Sequence, residues 1–176
     1  MLTMYFVIIV VCFVVGPVVS IIIERAVKKN DPRSRDLLAL VLRWFTFWIV
    51  GVRLFTAGMV QALRPEFTAD QIFGTTDPTV LPFISELGYA NIGFGVIGII
   101  SLYARSWVVP AALAGVVFLG LDGIRHAVSG GDFTADRVLA MVTDLIAVVV
   151  LGACLIAVAA RSRQKKAAVA SADPAV

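Results

Sequence analysis

Stretches of Val, Ile, Leu, Phe and Ala alternate along the chain with short polar segments, and five of those stretches are long enough to cross a bilayer. They cover residues 2–23, 37–63, 88–104, 107–123 and 137–160. A helix rises 1.5 Å per residue, so about 20 residues cross a hydrocarbon core ~30 Å thick. The pattern therefore predicts an all-α, polytopic membrane protein: one five-helix transmembrane domain over residues 1–160, then a basic tail over 161–176. The tail fades into small residues and is expected to be disordered.

The polar punctuation refines this reading. Gly16-Pro17 inside the first run predicts a kink that a neighbouring helix must shelter. Asn30-Asp31-Pro32 is a turn signal, and Arg64-Pro65 ends the second run. The connection that follows, about 25 residues, is long for a helical bundle and predicts a structured loop. Within it, residues 78–87 are expected to form a short interfacial helix, with Leu81, Phe83, Ile84 and Leu87 towards lipid. Gly93, Gly95 and Gly98 would let the third span approach a neighbour closely. Ser129-Gly130-Gly131 breaks the fourth helix, and Thr134 is the expected cap of the fifth.

Composition agrees with the pattern. Of 176 residues, 60% are hydrophobic and 15% charged, against an apolar share of about 45–50% in soluble domains. Mean hydropathy is +0.95. The first run lacks a basic leading segment and is longer than the core of a secretory signal, so it reads as a retained span. Cys12 and Cys154 lie in apolar runs far from any CxxC or His, where thiols behave as small hydrophobes.

A net charge of +3 would suggest nucleic acid if the basic residues were scattered. They are not. Arg25, Lys28, Lys29, Arg33, Arg35, Arg105, Arg161, Arg163, Lys165 and Lys166 all fall at one end of an up-down bundle, whereas Arg64, Arg125 and Arg137 fall at the other. The positive-inside rule then places the tail in the cytoplasm and the N-terminus outside. Arg43 lies near enough to the cytoplasmic surface to be expected to snorkel. Trp44 and Trp107 read as interface anchors.

Candidate chemistry gathers at the less basic end. Asp122, Arg125 and His126 stand at i, i+3 and i+4, on one helical face. Asp144 lies about two turns into the fifth span and Arg53 about three turns into the second, counted from that same end. Arg137, seven residues before Asp144, shares its face, and Glu86 and Asn91 flank the start of the third span. Ionised groups at such depth need partners or water. Two readings stay open: a polar pocket that holds a headgroup, a quinone ring or a proton, and an Arg53–Asp144 or Arg53–Asp122 pair that joins helices.

Other chemistries find no motif. One histidine cannot give bis-His haem ligation within one chain, and no spacing of His, Cys and carboxylates reads as a metal site. No catalytic residue is assigned, and no cofactor is expected beyond a lipid or quinone. PEFTADQI at 65–72 is echoed by GDFTADRV at 131–138. The echo is read as a shared helix start, with an aromatic residue, a Thr cap and an acid in the first turn, in preference to a duplicated hairpin.

LPFISELGYANIGFGVIG (81–98) and FLGLDGIRHAVSGGDFTADRVLAMVTDL (118–145) resemble a family of small bacterial multipass membrane proteins without an assigned activity. More distantly, RWFTFWIVGVRLFTAGMVQALRP makes spans two to five similar to the four-helix DoxX-like group, with the first span an addition. The resemblance covers about residues 40–155. It implies Glu86, Asn91, His126 and Asp144 as members of a shared polar site. It also implies association with membrane redox complexes or quinone handling. The expectation is a non-catalytic subunit or accessory protein of the bacterial plasma membrane. It would dock with other membrane subunits or with itself, bind lipid or quinone through Arg53, Glu86, Asn91, Asp122, His126 and Asp144, and have no nucleic-acid partner. The competing expectation is a small membrane enzyme or transporter that uses Arg53, Asp122, His126 and Asp144.

Overall fold

The computed structural model describes residues 2–31, 34–128 and 135–172, with the side chains of 2–5, 136, 137 and 172 left aside. Among them, five helices are long and apolar enough to cross a membrane. They are α1 (Phe6–Val27), α2 (Leu37–Leu63), the span Pro78–Ile100, the span Arg105–Val128 and the span Val138–Ser171. A short helix, α3 (Pro65–Gln71), lies in the long loop. The helices proper of the last three spans are α4 (Leu81–Ile100), α5 (Val108–Val128) and α6 (Ala135–Ala172). The expected Thr134 cap, the Ser129-Gly130-Gly131 break, the second copy of the echo and Arg137's place on a face lie outside what is described.

Two elements differ from expectation. Residues 78–87 are not a separate interfacial helix: a 3-10 turn at Pro78–Val80 runs directly into α4. Pro82 at the start of α4 has no amide to leave unsatisfied, so the helix begins there at little cost. Residues 161–172 are not disordered, because α6 continues through them. A helix already nucleated in the membrane needs only propagation, and Ala, Gln, Lys and Arg are good helix formers.

Glycine sets the closest packing. On α2 and α4, Gly51 meets Gly98 and Gly58 meets Gly88 backbone to backbone. A Cβ added at Gly58 would lie 2.6 Å from the Gly88 carbonyl oxygen. Gly51 and Gly58 are seven apart, as are Gly88 and Gly95, so each pair lines one helical face. Gly93, expected to share this seam, has nothing within 4 Å of an added Cβ. Two residues from Gly95 it points nearly the opposite way. Around the seam Ile49, Val50, Leu54, Leu119, Ala147 and Leu151 form the apolar core.

Both of the first two spans contain π-helical stretches, Val11–Val15 in α1 and Thr46–Arg53 in α2. The first sits just before Gly16-Pro17. There the Gly16 amide donates to the Val11 carbonyl, one residue wider than an α-helical bond, and this makes room for the proline ring. Gly16 in turn lies against the Trp48 indole. The anticipated kink is therefore a wide turn sheltered by α2.

Candidate functional site

At the basic end of the bundle, Glu24 is buried in the last turn of α1. Arg43 pairs with its Oε2, to which the Trp44 indole N–H also donates at 2.8 Å. Lys28 Nζ stands 3.7 Å from Oε1, one turn on. Arg43 therefore does not snorkel. It is buried because α1 runs on past Ile23 to Val27 and carries an acid beside it. Trp107, on its 3-10 turn, is exposed as an interface anchor would be. Below the knot, Trp48 Nε1 donates to Ser20 Oγ at 3.1 Å.

Outside the span, the Asp36 carboxylate caps α2 by accepting from the Ala39 amide, and Arg161 of α6 lies 3.0 Å away. Slight burial pushes the Asp36 carboxyl up, but the amide and guanidinium outweigh it and hold it below its ordinary value. At the opposite end, Asp77 accepts from the Thr79 amide and hydroxyl, which also hold its carboxyl below the usual range.

That opposite end holds the candidate site. Arg53 closes the π-helical stretch of α2, and its Nη2 donates to Asp144 Oδ1 of α6 at 2.6 Å. Thr143 Oγ1 lies 3.5 Å from the same nitrogen. The Phe13 ring, from the π turn of α1, covers the guanidinium at 5.6 Å. Asp144 is 1% exposed and the Arg53 side chain 12%. Of the two pairings open to Arg53, the structure takes Asp144.

Helix α5 brings the other half. Gly123 is buried against Asp144, where an added Cβ would lie 3.3 Å from the Asp144 Cβ. Because Gly123 has no side chain, α6 comes close to α5 beside Asp122 and His126. His126 Nε2 is 3.6 Å from Asp122 Oδ2, and one ligand atom from each of Asp122, His126 and Asp144 lies within 4.8 Å of the others. The Asp122 side chain is 43% exposed and that of His126 14%, so the cluster is buried on the Asp144 side and partly accessible on the Asp122 side. Asp144 Oδ2 is buried and accepts no hydrogen bond among the described residues.

Arg53, Asp122, His126 and Asp144 thus converge. Two other candidates do not join them by any contact among the described residues. Asn91 is buried on α4 and donates to Gln61 Oε1 of α2 at 2.7 Å, and Glu86 is exposed. An open groove of about 610 Å³ lies between α3 and the start of α4, lined by Arg64, Glu66, Asp70, Thr75 and Thr76 among others. In the first copy of the echo, Thr68 is buried inside α3 and caps nothing, since that helix already begins at Pro65.

Sequence reasoning missed three participants. Glu24 lies just past the first apolar run, Gln61 carries no motif, and Phe13 is one apolar residue among many in that run. Only the first had a signal: Glu24 and Arg43 are an acid and a base at the same end of consecutive spans.

A family of unknown function, DUF6790, matches residues 3–165. The chain belongs to that family. The match takes in the first span with the other four, so the DUF6790 unit is the whole bundle. No curated protein and no solved structure matches the chain.

Proposed function

We propose that this DUF6790 protein is a non-catalytic integral membrane subunit of the bacterial plasma membrane, with its basic end in the cytoplasm, that docks beside other membrane proteins. The observation that carries this reading is how its intramembrane polar groups are engaged: with one another, from helix to helix. Arg53 grips Asp144, Arg43 and Trp44 grip Glu24, Trp48 holds Ser20, and Asn91 holds Gln61. Such pairs hold spans together where lipid offers no hydrophobic force between them. The outer faces remain apolar, as on α1 at Val14, Val18, Ile22 and Ile23. Spans two to five form the DoxX-like part of this proposal, and a lipid or quinone is its ligand at the outer face.

The test is gentle detergent extraction from the native membrane, with mass spectrometry of the proteins and lipids that accompany the chain. Stoichiometric partner subunits are expected. A stable monomer with no partner would sink the subunit reading.

A second reading, a membrane enzyme or transporter working through Arg53, Asp122, His126 and Asp144, is favoured by the convergence of those side chains. It requires that Asp144→Asn abolish a measurable activity in a chain that still folds.

A further inference from the structure

We propose that Asp122, His126 and Asp144 bind one divalent transition-metal ion, with Arg53 as the residue that positions Asp144. The proposal holds whether or not the chain docks in a larger assembly.

Three observations carry it. The first is the donor set: one imidazole nitrogen and two carboxylate oxygens, from two helices, already within 4.8 Å of one another. A four-coordinate ion with bonds of about 2.0–2.1 Å needs its ligand atoms roughly 3.3 Å apart. His126 and Asp122 stand at 3.6 Å, close to that spacing, and the Asp122 side chain is 43% exposed. Three protein ligands leave a fourth position for water, as in zinc sites that are not purely structural. Calcium, which wants six to eight oxygens, fits poorly.

The second observation is Asp144 Oδ2. Its carboxylate is almost wholly buried, yet only Oδ1 receives Arg53, while Oδ2 accepts no hydrogen bond among the described residues. An anionic oxygen held from water without a donor is costly, and it belongs to the group that meets Asp122 and His126. A cation at that point supplies what the oxygen lacks.

The third is orientation. In metal sites the ligands are themselves held by hydrogen bonds that fix their direction. Arg53 does this for Asp144, with Thr143 beside it and Phe13 closing over it. The π-helical stretch that ends at Arg53 sets the reach of that guanidinium, and such stretches recur at functional sites.

The test uses the full chain in detergent micelles, carrying no polyhistidine tag. Co²⁺ is titrated by its visible absorbance and Zn²⁺ by calorimetry. One saturable site per chain is expected, with the intense bands of low-coordinate Co²⁺. His126→Ala and Asp122→Asn should each weaken binding by at least about tenfold, the lower bound even for losing a residue that merely orients a ligand. Asp77→Asn, in an exposed loop at the same end, should leave it unchanged. Asp122 is half-exposed, so Asp122→Asn is the variant expected to keep its fold, verified by far-ultraviolet circular dichroism. Arg53→Lys should weaken binding less than either ligand substitution while altering the Co²⁺ spectrum. No saturable binding, or binding that survives both ligand substitutions, would overturn the proposal.

Discussion

The two ends of the bundle solve the same problem with opposite balance. At the basic end one buried carboxylate, Glu24, is met by Arg43, Trp44 and Lys28. At the other end one guanidinium, Arg53, faces a region with two carboxylates, Asp144 and Asp122. Glu24 Oε1 and Asp144 Oδ2 alike accept no hydrogen bond among the described residues, so the ends differ in charge balance. The knot has two cations to one carboxylate, whereas the other end has two carboxylates to one guanidinium, and that surplus suits a cation. Intramembrane charge by itself does not distinguish function from joinery; the balance of carboxylates against cations does.

The largest expected effect separates the ends directly. Asp144→Ala leaves Arg53 deep in the bundle without its carboxylate and should cost about 3–5 kcal/mol, as for other broken buried pairs. Glu24→Ala should cost less, about 1–3 kcal/mol, because Arg43 near its helix end can then extend to the headgroups. Unfolding in mixed micelles, followed by circular dichroism, reads both values. Equal losses would erase the distinction.

Smaller effects are expected at the neutral pairs. Gln61→Ala and Ser20→Ala each remove one interhelical hydrogen bond and should cost about 0.6 kcal/mol, near the average for such bonds in membranes. The same assay should find the two alike, since neither involves the charge balance that differs between the ends.

Smallest of all is the surface pair of Asp36 and Arg161. The Asp36 carboxyl is held below its ordinary value, so its contribution is fully present above the unfolded value near 3.9 and is lost as pH falls through the lower folded value. Thermal stability scanned downward from pH 6 should decline slightly less in Asp36→Asn than in the parent, and the difference should shrink in high salt.

Much of the architecture was legible in the chain because hydrocarbon imposes simple demands: span length, apolar composition and basic flanks are all one-dimensional. The four converging residues were legible too, since Asp122 and His126 share a face by spacing, and Arg53 and Asp144 lie at matching depth. What could not be read was rotation. Whether Arg53 turns to Asp144 or Asp122 depends on the π-helical stretch Thr46–Arg53, and no residue in TFWIVGVR announces one. Glu24 was hidden for a related reason. It lies just past the apolar run, so its burial depends on how far α1 continues beside α2. The glycine seam was half legible: Gly95 and Gly98 were found, but Gly88 needed α4 to begin earlier than the apolar run suggests.

The claim that Arg53 and Asp144 clamp α2 to α6 is tested most directly by a double-mutant cycle of Arg53→Met and Asp144→Leu, read as unfolding free energy in micelles. Each single change should be strongly destabilising. The double variant, with no charge left unpaired, should recover most of the loss, as apolar replacements of buried pairs do. If the two losses simply add, the residues do not act as a pair, and the clamp is contradicted.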